Sequence, residues 1–570
     1  MRILGINDGH NASVCLTENG VIKFALSEER PTRKKNYFGM PIKAINHVYD
    51  NLADKDSIDY FGIYRDHGGD FLAFRWAIPD PTKKMSFAGK ALRLVVSRVA
   101  TKYMEIVSLV VPKSLVRRHY ARYLKVPVEK VVLVNHHRSH AESAVLSLDA
   151  SKEWLIFTVD AEGDSESGTV HSVRGNNILK LASIKRRDSL GYFYTWITEY
   201  LGMKPNEHEF KVMGLEPYVR KNTDQYLRAY KKLSGLFRFE GLNYVANVSM
   251  VSRRYKKWLR SMLYKERFDN IAAAAQKTLE ETVTKWISGW IKQTGIHNLA
   301  LSGGTFMNVK ASQRISALHE VGDFYVVPSS GDETTVIGVC NYISRQKGGK
   351  NLNPLSDLYL GVEFADEELL EWAKNVGSVD LEVKNVAGDI ENAVAKLLSE
   401  GQIVARFAGR EEFGARALGN RSILAHPSNP ETISQINKMI KDRDFWMPFT
   451  PSILAEEAHS YIQNPKGLNS PYMAMTFDTT ETGREHFSAA IHPYDKTMRI
   501  QMVDSGWNPA YHKLIRLFGE KTGIYGLLNT SFNLHGEPNV HTPNDALRTL
   551  TSSGLNHLAI GPILISKIKS

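Results

Sequence analysis

At 570 residues, 43% hydrophobic and 23% charged, the chain carries enough apolar surface for more than one compact core, and two domains are expected. A net charge of +11 favours anionic ligands or surfaces without choosing among nucleic acid, nucleotide and lipid. Two cysteines, Cys15 and Cys340, stand far apart with no CxxC, which excludes a disulfide framework and a thiolate metal site and reads as reduced buried thiols.

No apolar h-region follows Arg2, and no uncharged apolar run reaches the ~20 residues that a bilayer requires, so a cytoplasmic location is expected. The chain opens with strands at Ile3 to Asn7 and Ala12 to Thr17, a turn at Asn19-Gly20 and a third strand through Leu26; Asp8-Gly9-His10 fills the first loop. His10 supplies a general base, since histidine titrates nearest neutral pH, and Glu28 to Lys35 (EERPTRKK) supplies a cationic wall. Ten Lys or Arg and one acidic residue lie between Lys83 and Arg122, and a second basic stretch runs from Arg253 to Arg267. Both read as solvated helix faces, or more sharply as docking to an anionic surface.

Val131 to Val134 predicts a strand ending before a helix that carries His136 and His140, four apart and therefore on one side. The opening plan then recurs, with strands at Trp154 to Asp160, Gly168 to Val173 and Ile178 to Ile184. Asp160 ends the first of these, and Asp332 sits in the Gly loop Ser330 to Glu333. Two His with two carboxylates and open positions suit Fe(II), Mn(II) or Zn(II). A long helix from Phe268 to Gln293 precedes a strand at Leu299 to Leu301 and the loop Ser302 to Thr305, whose Gly303 and Gly304 allow backbone approach to a phosphate or ribose before a helix beginning near Phe306.

The polar linker Gln346 to Pro354 marks the domain boundary, dividing the chain into 1–350 and 351–570. Beyond it, Gly409 to Arg421 reads GREEFGARALGNR and Lys441 to Ser452 reads KDRDFWMPFTPS. Arg410, Arg416, Arg421, Lys441 and Arg443 form a set of cations suited to phosphate oxygens, unless they pair locally with Glu411, Glu412, Asp442 and Asp444. A strand from Gly523 to Leu528 opens into a loop with Asn529, Ser531 and Asn533 as phosphate or nucleotide donors.

With these motifs in order (GINDGHNAS, EERPTRKK, HHRSHA, VDAEGD, KVMGLEPY, LSGGTFMN, GREEFGARALGNRS, KDRDFWMPF and LNTSFNLHGEP), the chain resembles the nodulation-type O-carbamoyltransferases over nearly its whole length. The resemblance implies an α/β protein with a duplicated actin-like (TsaD-like) N-terminal domain holding an iron-type metal, followed by a YrdC-like domain. The C-terminal domain would make carbamoyl adenylate from carbamoyl phosphate and ATP (with Mg), using Arg410, Arg416, Arg421, Lys441, Arg443, Arg499, Asn529, Ser531 and Asn533. The N-terminal domain would transfer the carbamoyl group to a hydroxyl of a small molecule or glycan. There His10 would act as base, Asp8, Lys35, Lys211, Gly214, Gly303, Gly304 and Asn308 would hold the intermediate, and His136, His140, Asp160 and Asp332 would hold Fe(II). Two positions depart from the family pattern, Asn11 where Asp is common and Met447 where Arg precedes the proline. The rival reading is a tRNA threonylcarbamoyladenosine-type enzyme; no stable nucleic-acid partner is expected on the first reading.

Overall fold

The computed structural model describes residues 1–66, 112–377, 380–441 and 443–568. Most of the first basic stretch, Lys83 to Val111, and Asp442 therefore lie outside the described residues. The molecule is a mixed α/β protein built on three large sheets.

The first sheet forms from β1 (Arg2–Asn7), β2 (Ser13–Glu18), β3 (Val21–Ser27), β4 (Tyr60–Ile63) and β5 (Val131–Leu133), in the order β3-β2-β1-β4-β5. Asn19 and Gly20 both take positive φ (49° and 85°), the geometry of a tight hairpin turn, and so set the β2–β3 register. The second sheet uses β6 (Glu153–Gly163), β7 (Glu166–Arg174) and β8 (Asn177–Lys185). A small hairpin, β9 (Phe237–Glu240) with β10 (Asn243–Ala246), stands apart, and β11 (Asn298–Ser302) and β12 (Phe324–Val326) complete the second sheet in the order β12-β11-β6-β7-β8. In each sheet three antiparallel strands come first in the chain and two parallel strands follow. The plan that recurs in the sequence is thus a recurrence of topology.

Helix Thr335–Gly348 packs on the first sheet, where a Cβ on Gly5 or Gly62 would collide with Val336 or Val339. Helix His136–Val145 lies against β6 and β11 of the second. The two helices touch at Gly338, whose added Cβ would stand 1.8 Å from the Ser139 carbonyl oxygen. Cys15 and Cys340, remote in sequence, are buried neighbours here, with the Cys340 sulfur 3.5 Å from the Cys15 carbonyl oxygen.

The C-terminal part is one eight-stranded sheet. Its strands are β13 (Leu381–Asn385), β14 (Val404–Phe407), β15 (Arg421–Ala425) and β16 (Thr450–Leu454), then, past the two-residue pair β17 (Ile462–Gln463) and β18 (Asp478–Thr479), β19 (Gln501–Val503), β20 (Gly526–Ser531), β21 (His557–Ile560) and β22 (Ile563–Lys567). Their order is β13-β22-β21-β14-β15-β20-β16-β19. The strand expected at Gly523 begins later, because Gly523 (φ 77°) caps helix Pro509–Thr522, and β20 runs on through Asn529 and Ser531. Likewise β6 continues past Asp160 to Gly163, and a 3-10 turn at Gly304–Met307 delays the expected helix to Val309.

The expected linker does not swing free. Asn353 N–H donates to the Gly20 carbonyl (2.7 Å), Ala25 N–H donates to Leu360 (3.0 Å), and Gly361 N–H donates to Glu411 (2.9 Å). The EERPTRKK segment also grips the C-terminal part. Buried Arg30 stands 3.1 Å from Glu411, which His541 meets from its other oxygen at 2.8 Å, and Arg33 donates to the carbonyls of Pro538 and Asn539.

In the second basic stretch, Tyr255 and Leu259 of helix Arg253–Met262 are buried while Lys256 pairs with Glu199 (2.7 Å) over the Trp196 ring, the arrangement of a solvated helix face on a packed stripe. No described helix is long and apolar enough to cross a membrane.

Gly338→Ala should lower stability by about 1–3 kcal/mol, because the added methyl meets backbone. Thermal unfolding followed by circular dichroism checks this, and an unchanged midpoint would show that the helix pair relaxes without cost.

Candidate active site

Asn135 caps helix His136–Val145 by accepting from Arg138 N–H (3.0 Å), and Asp164 accepts from His136 N–H (2.6 Å). Both imidazoles of the i, i+4 pair then face the parallel strand ends of the second sheet. His136, His140, Asp160 and Asp332 each present one ligand atom, all within 4.8 Å of one another. His140 Nε2 lies 3.4 Å from Asp160 and 3.6 Å from Asp332, and His136 Nε2 lies 3.8 Å from Asp332.

Outer contacts aim this set. His140 Nδ1 meets Ser302 Oγ at 3.2 Å, Gly304 N–H donates to Asp160 (2.9 Å), and Asn7 donates to the Asp332 carbonyl (3.0 Å). Gly163 leaves room for the His136 ring, since a Cβ there would lie 2.1 Å from it. Gly303 (φ 101°) presses on Val159, where a side chain would meet the carbonyl oxygen at 2.4 Å.

Burial pushes His136 well below the ordinary histidine range, so it is neutral and ready to bind a cation. Burial would lower His140 too, but the carboxylates of Asp160 and Asp332 beside it outweigh that and bring His140 up to about 9. The Nε2 atoms of both are buried without a hydrogen-bond partner, which fits a divalent metal held between two imidazoles and two carboxylates.

His10 stands half-buried on the adjoining loop and acts electrostatically on Asp332 and on Glu209. Asn11 takes φ 51°, which Asn tolerates better than most residues, and donates to the buried Glu333 (3.3 Å). Asp8 is committed to Arg65 (2.8 Å) and Tyr120 (2.6 Å), and Asn308 exchanges hydrogen bonds with Gln276 (2.8 and 3.0 Å) while capping its helix. Lys35 pairs with Glu207 (3.1 Å).

The C-terminal cations divide into two groups. Arg410 donates to the carbonyls of Lys23, Leu360 and Gly361, and Arg421 donates to Val362, Ala408, Gly409 and Asn420 while stacking 3.6 Å over Phe407; both are structural braces. Asn529 is likewise spent on Ala417 and Ser452.

Arg416, Lys441, Arg443 and Arg499 form no ion pair among the described residues, because the nearby acids are used elsewhere. Glu411 holds Arg30 and His541, Glu412 accepts the N–H groups of Leu418, Asn420 and Arg421, and Asp444 pairs with Lys211 (2.8 Å). Burial lowers Arg443 to about 10, with Arg416 adding like charge. Arg499 falls well below its usual value through burial and the charges of Arg416 and Arg443. Lys441 is lowered the same way, and Ser531 and Asn533 hold its ammonium (2.9 Å to Asn533 Oδ1). A buried set of cations that lower one another is chemically suited to an anion, which would offset their shared charge.

The two centres adjoin. Ala415 N–H donates to Ser329 Oγ (3.1 Å), Ser329 donates to Glu333, and Gly414 is packed so tightly on Ser329 that a Cβ would stand 2.8 Å away. The Arg416 loop thereby rests on the loop carrying Asp332. Reading the sequence missed Ser302 and Glu333, whose signal was their place beside assigned residues, and missed His492, Asp495 and Lys310, which carried no motif at all.

Two outcomes follow. Metal must displace the His140 proton, so uptake near pH 7 should release about one proton and apparent affinity should rise roughly tenfold per pH unit until His140 is itself deprotonated near pH 9. Calorimetry with Mn(II) or Zn(II) in two buffers of different ionisation enthalpy reads the proton count; zero would show that no protonated His140 gives up its hydrogen to the metal. In thermal unfolding, Arg421→Ala should cost roughly 3 kcal/mol or more by orphaning buried carbonyls, whereas Arg499→Ala should be neutral or stabilising.

The carbamoyltransferase N-terminus family model matches residues 2–340 and the carbamoyltransferase C-terminus model matches residues 395–567. The chain is 32% identical over 580 residues to an uncharacterised protein of Methanocaldococcus jannaschii, covering 100% of both. It is 30% identical over 574 residues to nodulation protein NolNO of Sinorhizobium fredii, covering 98% of this chain and 79% of that one. It is 27% identical over 264 residues to the 3'-hydroxymethylcephem-O-carbamoyltransferase of Amycolatopsis lactamdurans, covering 46% and 48%. With both family models matched in order along it, the chain belongs to the carbamoyltransferase family of group-transfer enzymes.

Proposed function

We propose that the protein is a cytoplasmic O-carbamoyltransferase that activates carbamoyl phosphate with ATP and delivers the carbamoyl group to an acceptor hydroxyl of a sugar or natural product. The observation that carries this reading is the set of cations Arg416, Lys441, Arg443 and Arg499, which form no ion pair among the described residues and whose Arg416 loop packs through Ala415 and Ser329 against the loop of Asp332. On this reading the paired five-stranded sheets (1–350) are the duplicated actin-like, TsaD-like transfer domain, and the eight-stranded sheet (351–570) is the YrdC-like activation domain.

In the C-terminal domain, water cleaves carbamoyl phosphate to carbamate and phosphate. A carbamate oxygen then attacks the α-phosphorus of ATP, the bond to the β-phosphate breaks, and pyrophosphate leaves, giving carbamoyl adenylate. Arg416, Arg443 and Arg499 neutralise the phosphates, and Lys441, held by Ser531 and Asn533, adds a fixed ammonium. Free carbamate decomposes in water, so the chemistry requires an enclosed passage between the domains.

In the N-terminal domain, His10 takes the acceptor proton as the acceptor oxygen attacks the carbamoyl carbon, and AMP departs. His136, His140, Asp160 and Asp332 would hold a divalent ion, Fe(II) by the family resemblance, which would supply Lewis acidity toward the carbamoyl group. Gly303, Gly304, Lys211 and Gly214 line the adenylate side, where Gly304 N–H already fixes Asp160.

The test is anaerobic incubation with ATP, Mg and carbamoyl phosphate, following pyrophosphate and AMP. Wild type and His136→Ala should form pyrophosphate only with carbamoyl phosphate present, while Arg443→Ala should lose at least about 100-fold of the rate. Absence of carbamoyl-phosphate-dependent turnover in metal-loaded wild type would reject the reading.

A further inference from the structure

The helix Glu209–Leu215, which carries Lys211 and Gly214, is clamped by the C-terminal part at two points. Lys211 pairs with Asp444 (2.8 Å), the residue after Arg443. Three residues on, the Gly214 carbonyl oxygen lies 3.1 Å from His492 Nε2. A carbonyl only accepts, so His492 carries its hydrogen on Nε2. Its Nδ1 takes the N–H groups of Tyr494 and Asp495 (3.3 Å each) and lies 3.2 Å from Asp495 Oδ1.

The other Asp495 oxygen pairs with Lys310, which also donates to Thr497 (2.8 Å), and Thr497 donates back to Asp495 (2.9 Å). Lys310 follows Asn308 by two residues on the helix that Asn308 caps. His492 is 4% exposed. Gly214 itself fits flush against Trp446, with a Cβ position 3.2 Å from the Trp446 carbonyl. Residues 492–497 then lead directly into Arg499 of the cation cluster.

We propose that His492, Asp495 and Lys310 form a latch whose positioning residue, His492, fastens the cation-bearing loop onto helix Glu209–Leu215 and seals the passage that the adenylate crosses. The assignment of what crosses rests on the function proposed above; the latch itself rests on the contacts. One loop touches Gly214 and the Asn308 helix of the N-terminal part and delivers Arg499 to the C-terminal cluster. Releasing it separates the two centres without removing a group from either. Carbamoyl adenylate that escapes is hydrolysed by water to AMP and carbamate, so a broken latch converts a held intermediate into continuous, acceptor-independent ATP consumption.

The experiment uses the full chain with ATP, Mg and carbamoyl phosphate and no acceptor, in wild type, His492→Ala, His492→Gln and Lys310→Met. Wild type should give a pyrophosphate burst of about one equivalent and then slow release, whereas His492→Ala and Lys310→Met should sustain release about tenfold faster after the burst. His492→Gln, whose side-chain amide can donate to the Gly214 carbonyl, should return toward wild type.

In parallel, hydrogen exchange read by mass spectrometry should quicken about tenfold in residues 209–215 of His492→Ala while the strands β1 and β6 stay protected. Unchanged exchange at 209–215 overturns the latch whatever the enzyme makes. Faster exchange with unaltered release after the burst overturns its sealing role. No pyrophosphate from wild type overturns the proposed function instead, and the exchange result still decides the latch.

Discussion

Helix Thr335–Gly348 belongs to one five-stranded sheet and helix His136–Val145 to the other, and they meet where Gly338 presents no side chain to the Ser139 carbonyl. Backbone-to-backbone approach at this point sets how near the two sheets come. The residues that precede the first helix include Asp332, and the first turns of the second hold His136 and His140, so the same approach sets the distances within the His and Asp set. The four side chains come from three places, the start of helix His136–Val145, strand β6 and the turn before helix Thr335–Gly348, which makes the site a readout of sheet spacing. Ser302 and Gly304 then refine the aim from the β11 side.

The charge distribution follows a second constraint. Buried guanidinium groups cost stability unless their donors are satisfied, and the C-terminal part meets this cost in two ways. Arg406, Arg410 and Arg421 turn their donors onto carbonyls and brace the middle of the sheet and the connection to β3. Arg416, Arg443 and Arg499 instead lie near enough to lower one another, and they form no ion pair among the described residues. Destabilisation kept in the second group and avoided in the first separates the proposed anion site from its scaffold.

Much of this was legible in the residues. The i, i+4 histidines, the carboxylate at a strand end and the Gly loops belong to local patterns, and periodicity placed most strands of the first two sheets within a residue or two. What was not legible depends on pairing at a distance. Arg410 and Arg421 look like Arg416 and Arg443 in sequence, and only the carbonyls of Lys23, Val362 and Ala408 tell them apart. The start of β20 was misplaced because Gly523 serves as a helix cap, a role that a Gly before an apolar run does not announce. Cys15 and Cys340 were read as remote, yet the packing of Thr335–Gly348 on β2 makes them neighbours.

The grip of Arg33 on the carbonyls of Pro538 and Asn539 joins positions 505 and 506 residues apart. Closing so long a loop carries a high entropic cost and depends on sheets that must form beforehand, which makes this contact among the most non-local in the chain. During synthesis the EERPTRKK segment leaves the ribosome long before its partner exists. The nascent N-terminal part therefore waits with Arg30 and Arg33 unmet, and the completed enzyme is assembled only as the last strands of the eight-stranded sheet dock.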